Sequence, residues 1–140
     1  NLFVSSSSDD ADFVVKLIDV FPDSEPAKES GPPMGGYQML LRGDVMRARY
    51  RKSLSTPEPL VVNDINEVSF KMNDVNHTFR KGHKIMVQVQ SSWFPLVDLN
   101  PQKFTSSIYA AQKEDFQKAR IKIFHNSRFP SRISYRELSK

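Results

Sequence analysis

Apolar residues in this chain come in short runs, several of them bounded by proline or glycine, which favours strands over helices and irregular crossings over tight repeats. Asp12 to Phe21 is apolar on both faces, with Val14, Ile18 and Val20 against Phe13, Val15 and Leu17. A strand buried on both sides reads that way. Pro22 stops it, and Asp23 to Gly36 carries Pro26, Gly31, Pro32, Pro33, Gly35 and Gly36, a loop by composition. Tyr37 to Arg51 resumes as strand with a bend at Gly43. Glu67 to Met72 alternates, with Val68, Phe70 and Met72 inward. After a Lys81-Gly82 turn a further strand places Ile85, Val87, Val89 and Ser91 on one face, expected to be buried, and Lys84, Met86, Gln88 and Gln90 on the other.

The carboxy-terminal third predicts one short helix, at Thr105 to Phe116, where Ile108, Ala110 and Ala111 form an apolar patch. Arg120 to His125 alternates again, and Arg132 to Leu138 reads as a last strand after the Phe129-Pro130 stop. Short strands with irregular crossings describe an all-β jelly-roll or Greek-key sandwich.

With 140 residues, 39% of them hydrophobic and ten of them Phe, the chain has material for one globular core, so residues 1–140 are expected to form a single domain. No run approaches the roughly 18 apolar residues that span a bilayer. Without cysteine there is neither a disulfide framework nor a thiol nucleophile. The net charge of +4 raises the question of nucleic acid. Arg47, Arg49 and Arg51 project to one side if Val45 to Arg51 is a strand, but no RNP-like, helix-turn-helix or zinc-finger pattern accompanies them. A guanidinium row on a sheet more often pairs with carboxylates of its own or a neighbouring domain, so nucleic acid is not an expected partner and Arg47 and Arg49 are candidate interface residues.

No G-x-S-x-G elbow is present, and the serine run Ser5 to Ser8 has no glycine framing, so it reads as a strand-end loop. His77, His83 and His125 lack metal-ligand spacing. Beside Gly82 at a turn-to-strand corner, His83 is expected to bond free backbone groups. Asp9, Asp10 and Asp12 could offer loop oxygens to calcium, yet lack an EF-hand pattern and read as capping and loop-bonding residues. No catalytic residue, metal site or cofactor is indicated.

The segment after the Ile85 strand packs Trp93, Phe94 and Leu96 around Pro95, a large apolar load for a surface loop. It fits a neighbouring protein domain better than a sugar ring, because amide and carboxylate partners for hydroxyls are not interleaved with it. The alternative is a stand-alone carbohydrate-binding or adhesion sandwich.

Three blocks, DADFVVKLIDVFPD (Asp10 to Asp23), GGYQMLLRGDVMRARYRKS (Gly35 to Ser53) and VSFKMNDVNHTFRKGHKIMVQVQSSWFPLVDLNPQ (Val68 to Gln102), stand in an order that resembles one family. It is the carboxy-terminal β-sandwich of the X-Pro dipeptidyl-peptidase/cocaine-esterase class of serine hydrolases. Within the class the similarity leans to α-amino-acid ester hydrolases, also called glutaryl-7-aminocephalosporanic-acid acylase-like proteins. Phe124, His125, Pro130 and Ser131 match the family's closing segment, whereas the final YRELSK departs from its apolar ending. The resemblance implies a galactose-binding-like jelly roll without its first strands, since only Asn1 to Ser5 stand where earlier strands would be. It implies a non-catalytic role beside an α/β-hydrolase domain of the same parent, with Trp93, Phe94, Pro95 and Leu96 against that domain and shaping its acyl pocket. It further implies a periplasmic or secreted bacterial parent, and a sandwich lacking strands would pair with another copy.

Overall fold

The structure, a computed structural model, describes residues 1–26 and 30–138. Among these residues six strands form two three-stranded sheets: β1 (Leu2–Ser6), β2 (Asp12–Val20), β3 (Gln38–Arg47), β4 (Asn66–Val68), β5 (Lys84–Gln90) and β6 (Ile121–Phe124). Among the described residues the remaining regular elements are 3-10 turns, and the fold is all-β and of the β-sandwich class. The chain divides into two compact units, one of Asn1–Asp12, Met46–Phe70 and the residues from Ser92 on, the other of Phe13–Val45 and Lys71–Ser91.

In the first unit β1 lies between β4 and β6, antiparallel to both. Leu2 stands opposite Val68, and with Val4 these side chains form a buried apolar patch. On the other face Phe3 pairs across to Phe124, and Phe129 closes on both with ring centroids 5.8 and 6.0 Å away. The serine run ends β1 as a bonded corner: Ser8 N donates to Ser6 Oγ, and Ser8 Oγ to the Asp10 carbonyl.

The second unit holds the sheet β3-β2-β5, with β2 antiparallel to β5. Phe13, Val14, Val15 and Ile18 of β2 are buried on both faces, as their continuous apolar run requires. Gly82 turns the chain into β5 with φ +90°, a conformation a β-carbon disfavours, and His83 N closes the turn on the Arg80 carbonyl.

Several expectations are corrected. β5 exists, but Ile85 is 53% exposed and Val87 is exposed too, so the face expected to be buried is open. Period-two alternation tells which residues share a face and not which face is covered. β3 ends at Arg47, and Ala48–Tyr50 form a 3-10 turn because Ala48 N bonds the Ala11 carbonyl. Arg47, Arg49 and Arg51 therefore make no row. β4 stops at Val68, and the residues from Lys71 belong to the other unit.

The expected helix at 105–116 is two separate 3-10 turns, Ile108–Ala110 and Lys113–Asp115. Asp115 accepts from Gln112 N and from Lys103 Nζ, and these local bonds start a new turn where a helix would have continued. No strand forms over 132–138. Ser131 Oγ accepts from Phe3 N, Arg132 and Asn1 exchange backbone bonds, and the exposed Ile133, Tyr135 and Leu138 have no buried face to fix a register. The last two residues of YRELSK lie outside the described residues, as do three of the proline-rich loop.

Phe13 is 1% exposed. Phe13→Ala is expected to cost about 3–5 kcal/mol of unfolding free energy, read from the denaturation midpoint of the intact protein.

Candidate interface site

Three acidic residues between the end of β1 and the first residue of β2 set the geometry of the first unit. Asp9 Oδ1 accepts from Phe104 N at 2.9 Å. Asp10 accepts from Ala11 N through Oδ1, while its Oδ2 takes Arg49 Nε at 2.8 Å and lies 2.7 Å from Arg49 Nη2. Asp12 Oδ1 accepts from Asn100 Nδ2 at 2.8 Å, and Oδ2 stands 3.9 Å from Arg47 Nε. The carboxylates are thus spent on protein donors, which is the loop-bonding role. Among the described residues no group of three or more His, Cys, Asp or Glu is placed to hold a metal ion.

Arg49 is the joint. Its Nη1 donates to the Thr105 carbonyl at 3.0 Å, and its guanidinium sits 4.7 Å above the Phe104 ring. At 2% exposure it has no surface for a partner, so its place among the interface candidates is corrected: folding buries it against Asp10. Arg47 is half-buried and donates to the Asp98 carbonyl at 3.3 Å, which ties it to the apolar loop instead of to a basic strip.

Those bonds fix the base of the loop from Ser92 to Gln102. Val97 N returns to the Trp93 carbonyl at 3.0 Å, and Asn100 Oδ1 accepts from Gln102 N at 2.8 Å. Above this base the apolar load is outside. Trp93 is half-buried and Pro95 exposed, while Phe94 is 64% and Leu96 71% exposed. An open depression of about 230 Å³ lies beside them, lined by Phe94, Asp98, Leu99, Ile108, Tyr109 and Phe116. Tyr109 is 88% exposed. Contiguous apolar surface of this kind is characteristic of contact sites. The sequence flagged Phe94 and its neighbours; Tyr109 and Phe116 escaped because they fell within an expected helix, although large apolar side chains in a polar segment were the available signal.

Burial raises the Asp12 carboxyl to about 6, against the opposing Asn100 bond and the Arg47 charge, and burial also pushes Asp10 up, opposed chiefly by Arg49. A carboxyl raised on folding binds its proton more tightly in the native state. Stability from Asp12 is therefore greatest below its ordinary value of 3.8 and declines as pH climbs to about 6. Relative to the parent, Asp12→Asn should remove a decline on the order of 2–3 kcal/mol between those limits, measured by denaturant unfolding at both ends. Arg49→Met should destabilise by about 3–5 kcal/mol by leaving Asp10 buried and unpaired, and adding Asp10→Asn should recover much of that loss.

Comparison with known proteins agrees with this architecture. The chain is 38% identical over 133 residues to the cocaine esterase of Rhodococcus sp. (strain MB1 Bresler), covering 94% of the chain and 21% of that protein. The crystal structure of an aminopeptidase from a marine sediment Thaumarchaeota archaeon superposes with a TM-score of 0.84 at 46% identity, over 92% of the chain and 21% of its own. A selenomethionine-labelled α-amino acid ester hydrolase gives a TM-score of 0.81 at 46% identity, over 88% of the chain and 20% of its own. The chain thus spans about a fifth of the length of these relatives. Residues 1–134 match the X-Pro dipeptidyl-peptidase C-terminal non-catalytic domain, and the chain belongs to that family.

Proposed function

We propose that residues 1–140 act as one accessory domain of a serine hydrolase, with the loop from Trp93 to Leu99 packed against an α/β-hydrolase domain of the same parent protein. The carrying observation is the exposed apolar surface of Phe94, Leu96, Leu99, Tyr109 and Phe116 standing on a base fixed by Arg47, Asn100 and the three acids. A surface meant for water would not concentrate aromatic and aliphatic side chains on so firm a support. Its lining is mainly apolar, with the Asp98 carboxylate and the Tyr109 hydroxyl as the polar side-chain groups, a small set of partners for sugar hydroxyls.

The relatives that carry this domain support a reading of the parent's chemistry. Relatives that contain it are named as an esterase, an aminopeptidase and an α-amino acid ester hydrolase. These names share attack on an ester or amide carbonyl, and supply the basis for an acyl-transfer reaction on α-amino-acid esters or β-lactam amides, with the nucleophile outside this chain. The Trp93 to Leu96 segment is assigned to the rim of the acyl pocket. Pairing of the whole protein with a second copy is a further part of this reading.

In the intact protein, Leu96→Ser combined with Tyr109→Ser should leave the domain folded, because both side chains are exposed, yet weaken its hold on the catalytic domain. The expected result is a split of one thermal transition into two and a selective change in KM for bulky acyl groups. A single unshifted transition with unchanged kinetics would reject the docking role, and retention of a glycan by the parent but not by the variant would favour sugar binding in its place.

A further inference from the structure

The second unit buries an acid inside its central strand. Asp19 lies in the apolar run of β2 at 1% exposure, with Oδ2 2.8 Å from His77 Nε2 and Oδ1 2.8 Å from His83 Nδ1. The expectation that His83 bonds backbone groups through its ring is corrected here: only its amide serves the turn. An ionised carboxylate can only accept, so both facing nitrogens carry hydrogens, which fixes the neutral tautomer of each ring. Burial resists the charge on Asp19, but the His77 and His83 bonds outweigh it and hold the carboxyl below its ordinary value.

With Nδ1–H of His83 committed to Asp19, neutral His83 has only a lone pair at Nε2. That nitrogen lies 3.5 Å from Glu25 Oε2. Lone pair facing carboxylate repels, whereas Nε2–H of an imidazolium attracts. The contact with Asp19 survives in either state; the contact with Glu25 depends on the proton.

Among the described residues, Asp19 and Glu25 are the charged groups in contact with the His83 ring. The Phe21 ring is 4.6 Å from it and meets Tyr37 edge-on, and Phe79 stands 5.0 Å from His77. Lys84, opposite Val20, takes the face of β5 opposite to that of Ile85, which stands across from Asp19. Arg80 and Lys81 are exposed at the corner, and Asp23 is exposed, within reach of Gly36. Glu25 N closes its own turn on the Pro22 carbonyl at 3.0 Å.

We infer that His83 is a pH-operated latch: when protonated it fastens the Pro22–Glu25 turn to the Asp19 end of β2, and loss of the proton releases that turn. It lies within the second unit and is independent of the docking surface.

Hydrogen–deuterium exchange of the intact protein at about pH 5.5 and about pH 8, corrected for intrinsic exchange rates, tests it. Amides of the turn should be about fivefold better protected at the lower pH, the upper end for a partly exposed ion pair. Glu25→Gln, whose amide can donate to the bare Nε2, should abolish the pH difference, and His77→Gln, which touches Asp19 but not Glu25, should keep it. Equal protection at both pH values in the parent, a difference that persists in Glu25→Gln, or one that vanishes in His77→Gln would each overturn the latch.

Discussion

The Asp10–Arg49 pair is the interaction on which the first unit depends. One guanidinium, withdrawn from water, satisfies the Asp10 carboxylate, holds the Thr105 carbonyl and covers the Phe104 ring. Its planar fork makes these contacts possible together, and a lysine could not reproduce them. Asp9 and Asp12 extend the same junction to Phe104 N and Asn100. Three nearly consecutive acids therefore determine where the chain from Asp98 to Thr105 runs, and so where the apolar loop stands.

The second unit uses a buried carboxylate differently. Asp10 faces a cation that stays charged at all ordinary pH, while Asp19 faces two imidazoles whose charge is conditional. The first arrangement is a fixture. The second is a fixture toward Asp19 and a variable link toward Glu25, because only one nitrogen of His83 is committed.

How much of this was legible in the sequence depended on distance along the chain. β2 could be read from its own residues, since an apolar run closed by Pro22 has few other structures available. The family was legible because a long irregular segment such as QSSWFPLVDLNPQ does not recur by composition. The exposed face of β5 is not legible in its residues, since alternation carries no information about what covers a strand. The burial of Arg49 has no local signal, because the turn at Ala48–Tyr50 is imposed by a bond to Ala11, far off in sequence. Asp19 offered a hint as an acid within an apolar strand, but its partners lie 58 and 64 residues away and no local pattern connects them.

A buried ion pair with its attendant polar bonds is seldom the most stable way to fill a core, since apolar side chains of equal volume often do as well or better. What such a network supplies is position, because each bond has a distance and a direction while apolar contact has neither. An exposed loop bearing Phe94 and Leu96 would, on an apolar base, tend to fold back onto it. Tied through Asp98, Asn100 and Gln102 to a polar junction, the loop keeps those side chains outward. The buried charges and the exposed aromatic surface are thus coupled, because the polar base is what keeps the apolar side chains exposed.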